Sequence, residues 1–189
     1  MIYGKIYINI FVIVKNSFFI FILPLLEEIE VKKVGITSIM SPIIESSINF
    51  LVNDMGILNS GLTQYTLKKI GDLKLKDRTA VINIEGVLHG QFMLSLEDKL
   101  ARVLVRKFVI GDLSLDEESE YIEDVIGECA NTILGNSADK LVSEGQFFNI
   151  GTPFIVNSID GINNNNQDIW ICDITCAEGS MRLGYISIR

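Results

Sequence analysis

The apolar residues of this chain recur at one of two periods, and the switches between them divide it into elements. From Ser41-Pro42 to about Met55, the residues Ile44, Ile48, Leu51, Val52 and Met55 return at helical spacing, with Pro42 suited to a first turn and Gly56 to a stop. The period then shortens through Leu73 and Leu75, Ala80 to Ile84 and Gln91 to Leu96. Lys76-Asp77-Arg78, Glu85-Gly86 and Gly90 punctuate these runs, a pattern that predicts antiparallel strands. Helical spacing resumes from Leu96 to Val109 with Leu100, Val103, Leu104 and Phe108, is closed by Gly111, and returns from Glu117 to Leu141. Strands are expected at Phe154 to Val156, Ile169 to Thr175 and Met181 to Ile188, and the tract Asn163 to Asn166 reads as a polar hairpin tip.

The two halves echo one another, each running helix and then strands that end in a glycine-flanked hairpin. Glu85-Gly86 before the run Gln91 to Leu96 answers Glu178-Gly179 before Met181 to Ile188, which suggests an internal duplication. The expected fold class is α+β: two pseudo-repeated helix-plus-strands halves forming a mostly antiparallel sheet packed against long helices. The expected division is a hydrophobic N-terminal extension over residues 1–36 and one domain over residues 37–189.

The extension has several readings. Tyr7 to Leu26 is almost wholly apolar, broken by Asn9, Lys15, Asn16, Ser17 and Pro24, and is long enough to cross a bilayer. It reads as a membrane anchor, as a stretch translated from a start codon called too early, or as a hydrophobic strand packed on the domain. A cleaved signal peptide fits less well, because only Lys5 charges its start and no small-residue cleavage pattern follows Leu26. Were it an anchor, Lys32 and Lys33 favour a cytoplasmic C-terminal domain. Membrane contact is expected only through residues 1–34, and a cytoplasmic protein is the primary expectation.

The 189 residues, 48% of them apolar, suffice for one domain with a buried core. A net charge of -8 without a basic cluster excludes the electrostatic footprint of a nucleic-acid binder. Cys129, Cys172 and Cys176 are an odd set suited to a reducing compartment. Cys172 and Cys176, four apart on a strand, would stand roughly 13 Å apart, too far to bridge or to share a metal. With His89 as the single histidine, in the turn Leu88-His89-Gly90, no metal site is expected.

The chemistry-bearing pattern lies on the long helix. Asp124, Glu128 and Asn131 fall within an arc of roughly 60°, while Ile122, Ile126, Cys129 and Ile133 supply the core side. Asp124, three residues, Glu128, two residues, Asn131 and then twenty-one residues to Pro153 resembles the signature of the CheC/CheX/FliY chemotaxis phosphatases. The run Glu128-Cys129-Ala130-Asn131-Thr132-Ile133-Leu134-Gly135 is similar to that family's helix in its small and apolar positions, and the resemblance covers about Ile39 to Arg189. On the first helix Ser41, Glu45 and Ile48 repeat the spacing but put isoleucine where the amide should be, and Ile70 stands where a proline should follow. One intact site on the second long helix is similar to CheX, and the first copy reads as degenerate.

The resemblance implies a CheC-like fold and hydrolysis of the aspartyl phosphate on a phosphorylated CheY-like response regulator, in chemotaxis or related two-component signalling. Asn131 would then enter the regulator's active site and position water, an act suited to an amide that both accepts and donates hydrogen bonds. Glu128 would pair with the regulator's lysine beside its phosphate. Asp124 fits an orienting or capping role and Pro153 a fixed loop beside the helix. No cofactor is expected on this chain, Mg2+ is expected on the partner, and a homodimer is the expected state. Two rivals are a catalytically silent module that docks a response regulator or flagellar-switch component, and a membrane-tethered scaffold dominated by the N-terminal segment.

Overall fold

The computed structural model describes residues 32–57, 65–86, 88–141, 148–157 and 168–188. Most of the expected N-terminal extension and the Asn163 to Asn166 tip lie outside the described residues.

The first helix, α1, spans Lys32–Asn49 and runs on through a wider π-type turn at Phe50–Asp54. It begins earlier than the apolar period indicated, so Pro42 stands in the helix interior and not in a first turn. Proline there donates no backbone hydrogen bond and normally breaks a helix. Burial outweighs that cost here: Met40, Ile43 and Ile44, on either side of it, are all buried in the main core. The expected stop is met, since Gly56 takes a left-handed φ of 59°.

Strand β1 (Tyr65–Ile70) precedes the hairpin of β2 (Arg78–Gly86) and β3 (Gly90–Leu96). Leu73 and Leu75, expected in a strand, lie instead in the link between β1 and β2. Helix α2 (Asp98–Phe108) leads to the long helix α3 (Leu115–Leu141), about 40 Å from end to end. Two short strands, β4 (Phe148–Ile150) and β5 (Phe154–Ile155), precede a second hairpin of β6 (Asp168–Cys176) and β7 (Gly179–Ser187).

These strands form one seven-stranded sheet in the order β1-β6-β7-β3-β2-β4, with β5 also on β2. Every described pairing is antiparallel. The order makes the internal echo visible. The two hairpins sit side by side through β3 and β7, and each half lends an edge strand to the other: β1 to β6, and β4 with β5 to β2. Gly86 and Gly179, the glycines of the sequence echo, both hold positive φ at hairpin connections, 113° and 142°. Because the edges are exchanged, neither half completes its own sheet.

One face of the sheet, with Ala80, Ile82, Phe92, Leu94, Cys172, Ile174, Leu183 and Tyr185, packs under the three helices. The other face carries a smaller cluster of Val81, Met93, Ile169, Ile171 and Ile186, joined by Leu73 and Val156. The 71–77 link crosses this face, tied down where the Lys76 backbone N–H donates to Ser95 Oγ (2.7 Å) and Arg182 donates to the Lys74 carbonyl (2.7 Å). That crossing explains the leucines: their apolar spacing serves a lid over the sheet, which periodicity alone cannot tell from a strand.

Candidate functional site

Helix α3 starts on a capping box. Ser114 and, three residues on, Glu117 satisfy each other's backbone: the Ser114 N–H donates to the Glu117 carboxylate (2.8 Å), and the Glu117 N–H donates to Ser114 Oγ (3.3 Å). Asp116, Glu117 and Glu118 in the first turn suit the positive end of the helix dipole. Glu118 does more, since its side chain is only 2% exposed and takes hydrogen bonds from Arg106 (3.1 Å for one of two) and Arg102 (3.4 Å) on α2. The hydrogen bond from Arg106, followed by that from Arg102, outweighs burial and holds the Glu118 carboxyl below its ordinary range. Farther along, Ser46 Oγ of α1 donates to the Ile133 carbonyl (2.9 Å), fixing α1 against α3.

With Ile122, Val125, Ile126, Cys129, Ala130, Ile133 and Leu134 buried, α3 turns Asp124, Glu128 and Asn131 outward, all three exposed. None of them has a hydrogen bond or ion pair among the described residues. The helix backbone therefore fixes the acid and the amide one turn apart on the same face, while their side chains stay free to meet a partner. The neighbouring Cys129 thiol is buried, and burial together with the Glu128 charge pushes its pKa far up, which removes it as a nucleophile.

Pro153 lies at this helix. Gly151-Thr152-Pro153 interrupts the edge strand between β4 and β5, where the Gly151 N–H donates to the Asn83 carbonyl (2.9 Å). The break carries Pro153 onto α3, so that its Cβ is 3.5 Å from the place where a side chain on Gly127 would begin. Gly127, next to Glu128, is thus where the loop meets the helix. Gly127 lies just before the run Glu128 to Gly135 that carried the resemblance, so the sequence pattern did not contain this partner.

On α1 the trio of Ser41, Glu45 and Ile48 is arranged differently. Ser41 and Glu45 are exposed, but Glu45 is engaged by Lys140 from the end of α3 (2.9 Å), and Ile48 is half-buried against the main core. Ile70, the position that lacks proline, ends the unbroken edge strand β1 opposite Ile169 and packs on the far face of the sheet. His89 is exposed in the β2–β3 connection, where its carbonyl accepts from Tyr185 Oη (3.2 Å). Among the described residues there is no grouping of side chains able to hold a metal ion, and no helix is long and apolar enough to cross a membrane.

The family model of the chemotaxis phosphatase CheX matches residues 78–174, just over half the chain, which include α3, its outward trio and Pro153 but not α1. Three solved structures share the fold. CheX from Borrelia burgdorferi, in a complex with CheY, BeF3 and Mg2+, is 21% identical with a TM-score of 0.60, covering 79% of this chain and 97% of that one. A CheX from Desulfovibrio desulfuricans is 17% identical with a TM-score of 0.60, covering 79% and 99%. A CheC-like superfamily protein from a Shewanella species is 18% identical with a TM-score of 0.62, covering 80% and 98%. A comparison with curated proteins gives no match. With a sheet of exchanged edges under a long helix, and a family match that spans that helix, the chain belongs to the chemotaxis phosphatase CheX family.

Proposed function

We propose that this protein hydrolyses the aspartyl phosphate of a CheY-like response regulator, with Asn131 positioning the attacking water and Glu128 holding the regulator in register. One observation carries the reading: Glu128 and Asn131 are exposed and unengaged among the described residues, on a helix tied to α2 through Glu118 and to α1 through the Ile133 carbonyl, with Pro153 at the adjoining Gly127. Phosphoryl transfer needs little covalent chemistry from the catalyst and much positioning. The amide of Asn131 can accept a hydrogen bond from water and donate another, aligning a lone pair toward phosphorus. Glu128 offers a carboxylate to a cation near the regulator's phosphate, and Mg2+ would belong to the regulator. The Borrelia relative, solved with CheY, BeF3 and Mg2+, supports that assignment of the metal.

Asp124, a turn before Glu128, would orient the docking surface, and Pro153 would fix the loop at its edge. The degenerate α1 face would take no part. We propose further a cytoplasmic homodimer, since among the described residues the sheet ends in the edge strand β1, which can pair with a second copy. Light scattering checks this, and a monomeric mass contradicts it.

The test is the lifetime of phosphorylated receiver domains, with Mg2+ present, in the presence of wild type, Asn131→Ala and Glu128→Ala proteins. Wild type shortens the lifetime, Asn131→Ala does not but still binds, and Glu128→Ala mainly weakens binding. Binding by wild type with no acceleration of any receiver identifies a silent docking module and defeats the phosphatase reading.

A further inference from the structure

Of the most exposed large apolar side chains among the described residues, Ile110 stands in the α2–α3 connection, while Leu115 and Tyr121 belong to α3. Only Tyr121 shares the face of Asp124, Glu128 and Asn131. At 100° per residue the four side chains fall within an arc of about 80°, whereas Leu115 lies on the opposite side from Asp124. Tyr121 is 42% exposed, and no hydrogen bond or ion pair engages it among the described residues. It sits two turns before Glu128, roughly 10 Å along the axis. A standard interface buries about 800 Å2 on each partner, a disc of roughly 16 Å radius, so a partner centred on Glu128 reaches Tyr121 as well.

The surroundings define what meets the ring. Asp124 and Glu128 stand exposed and unpaired on the same face among the described residues, the arginines that reach this end of α3, Arg102 and Arg106 of α2, are already bonded to Glu118, and the whole chain carries a net charge of -8. An aromatic face beside these two unpaired carboxylates attracts a long cationic side chain, whose charge lies over the ring while its stem covers apolar area. We propose that Tyr121 is a docking residue of the same face, receiving an arginine or lysine from the response regulator. This rests on the reading under Proposed function and adds to it a second anchor, distant from the reacting phosphate.

The experiment measures binding of receiver domains, loaded with BeF3 and Mg2+, to wild type, Tyr121→Phe, Tyr121→Leu and Tyr121→Ala, together with steady-state dephosphorylation. Tyr121→Ala weakens binding about five- to thirty-fold and raises KM correspondingly, with kcat unchanged, because the ring does not touch the reacting atoms. Tyr121→Phe keeps wild-type affinity, and Tyr121→Leu, which keeps apolar area but not the π face, falls between Phe and Ala. Wild-type affinity in Tyr121→Ala or in Tyr121→Leu overturns the proposal while leaving the phosphatase reading intact. If wild type neither binds nor dephosphorylates any receiver, the underlying reading fails and the docking role with it.

Discussion

Helices α1 and α3 hold equivalent places in the two halves, yet their outward faces differ in what is left available. On α3 the acid and the amide are exposed and unengaged among the described residues, and a break in the neighbouring edge strand brings Pro153 to the helix. On α1 the acid at Glu45 is engaged by Lys140, the amide position is the half-buried Ile48, and edge strand β1 pairs without a break to Ile70, whose side chain packs on the far face. On the proposed reading a site of this kind would combine three things: a free carboxylate, an outward amide, and an edge strand interrupted at the right place. The α1 face shows none of the three, so that reading expects no activity from restoring one residue there.

Making α3 resemble α1 is the most severe test of that contrast. Asn131→Ile should lower dephosphorylation by roughly 100-fold or more while leaving the circular dichroism spectrum unchanged, because the position is exposed. The reciprocal Ile48→Asn should confer no activity on an Asn131→Ile background; a gain in rate there breaks the comparison. Next in size is the base of α3. Glu118→Gln should lower Tm by several degrees at pH 7, because Arg102 and Arg106 lose the buried negative charge they share. The carboxyl of Glu118 is held below its ordinary 4.5, so its contribution is full above that pH and is lost as pH falls through the depressed value. Acid titration of stability should accordingly fall less steeply in the Glu118→Gln protein than in wild type.

Gly127 gives a graded test of the proline contact. Gly127→Ala places its methyl at ordinary contact distance from Pro153, 3.5 Å, and should add up to about 1 kcal/mol of stability with activity kept. Gly127→Leu should displace the Pro153 loop and lower activity about ten-fold, measured with the same phosphorylated receiver. The smallest effect belongs to α1. Lys140→Ala removes an exposed pair with Glu45 and should change stability by less than about 0.5 kcal/mol, with no change in rate.

Much of this was legible in the sequence because it depends on local periodicity. The outward grouping of Asp124, Glu128 and Asn131 follows from helical spacing alone, and the glycines of Glu85-Gly86 and Glu178-Gly179 do mark hairpin connections. What escaped depends on contacts distant along the chain. Pro42 inside α1 is tolerated only because Met40, Ile43 and Ile44 find a core to fill. Leu73 and Leu75 cover a sheet face built mainly from strands that follow them in the chain. The pairings of Glu45 with Lys140 and of Pro153 with Gly127 join separate elements, and no window of sequence contains both partners in register. The capping box is the exception, since Ser114 and Glu117 carried a readable start signal that apolar spacing overlooked.

The central claim is that Asn131 acts on water and not on binding. Single-turnover decay of a phosphorylated receiver, with Mg2+ and saturating protein, isolates that step. The account predicts rapid loss of the phosphoryl group with wild type, and decay at the receiver's own intrinsic rate with Asn131→Ala even when every receiver is bound. Fast decay in the saturated Asn131→Ala complex contradicts it.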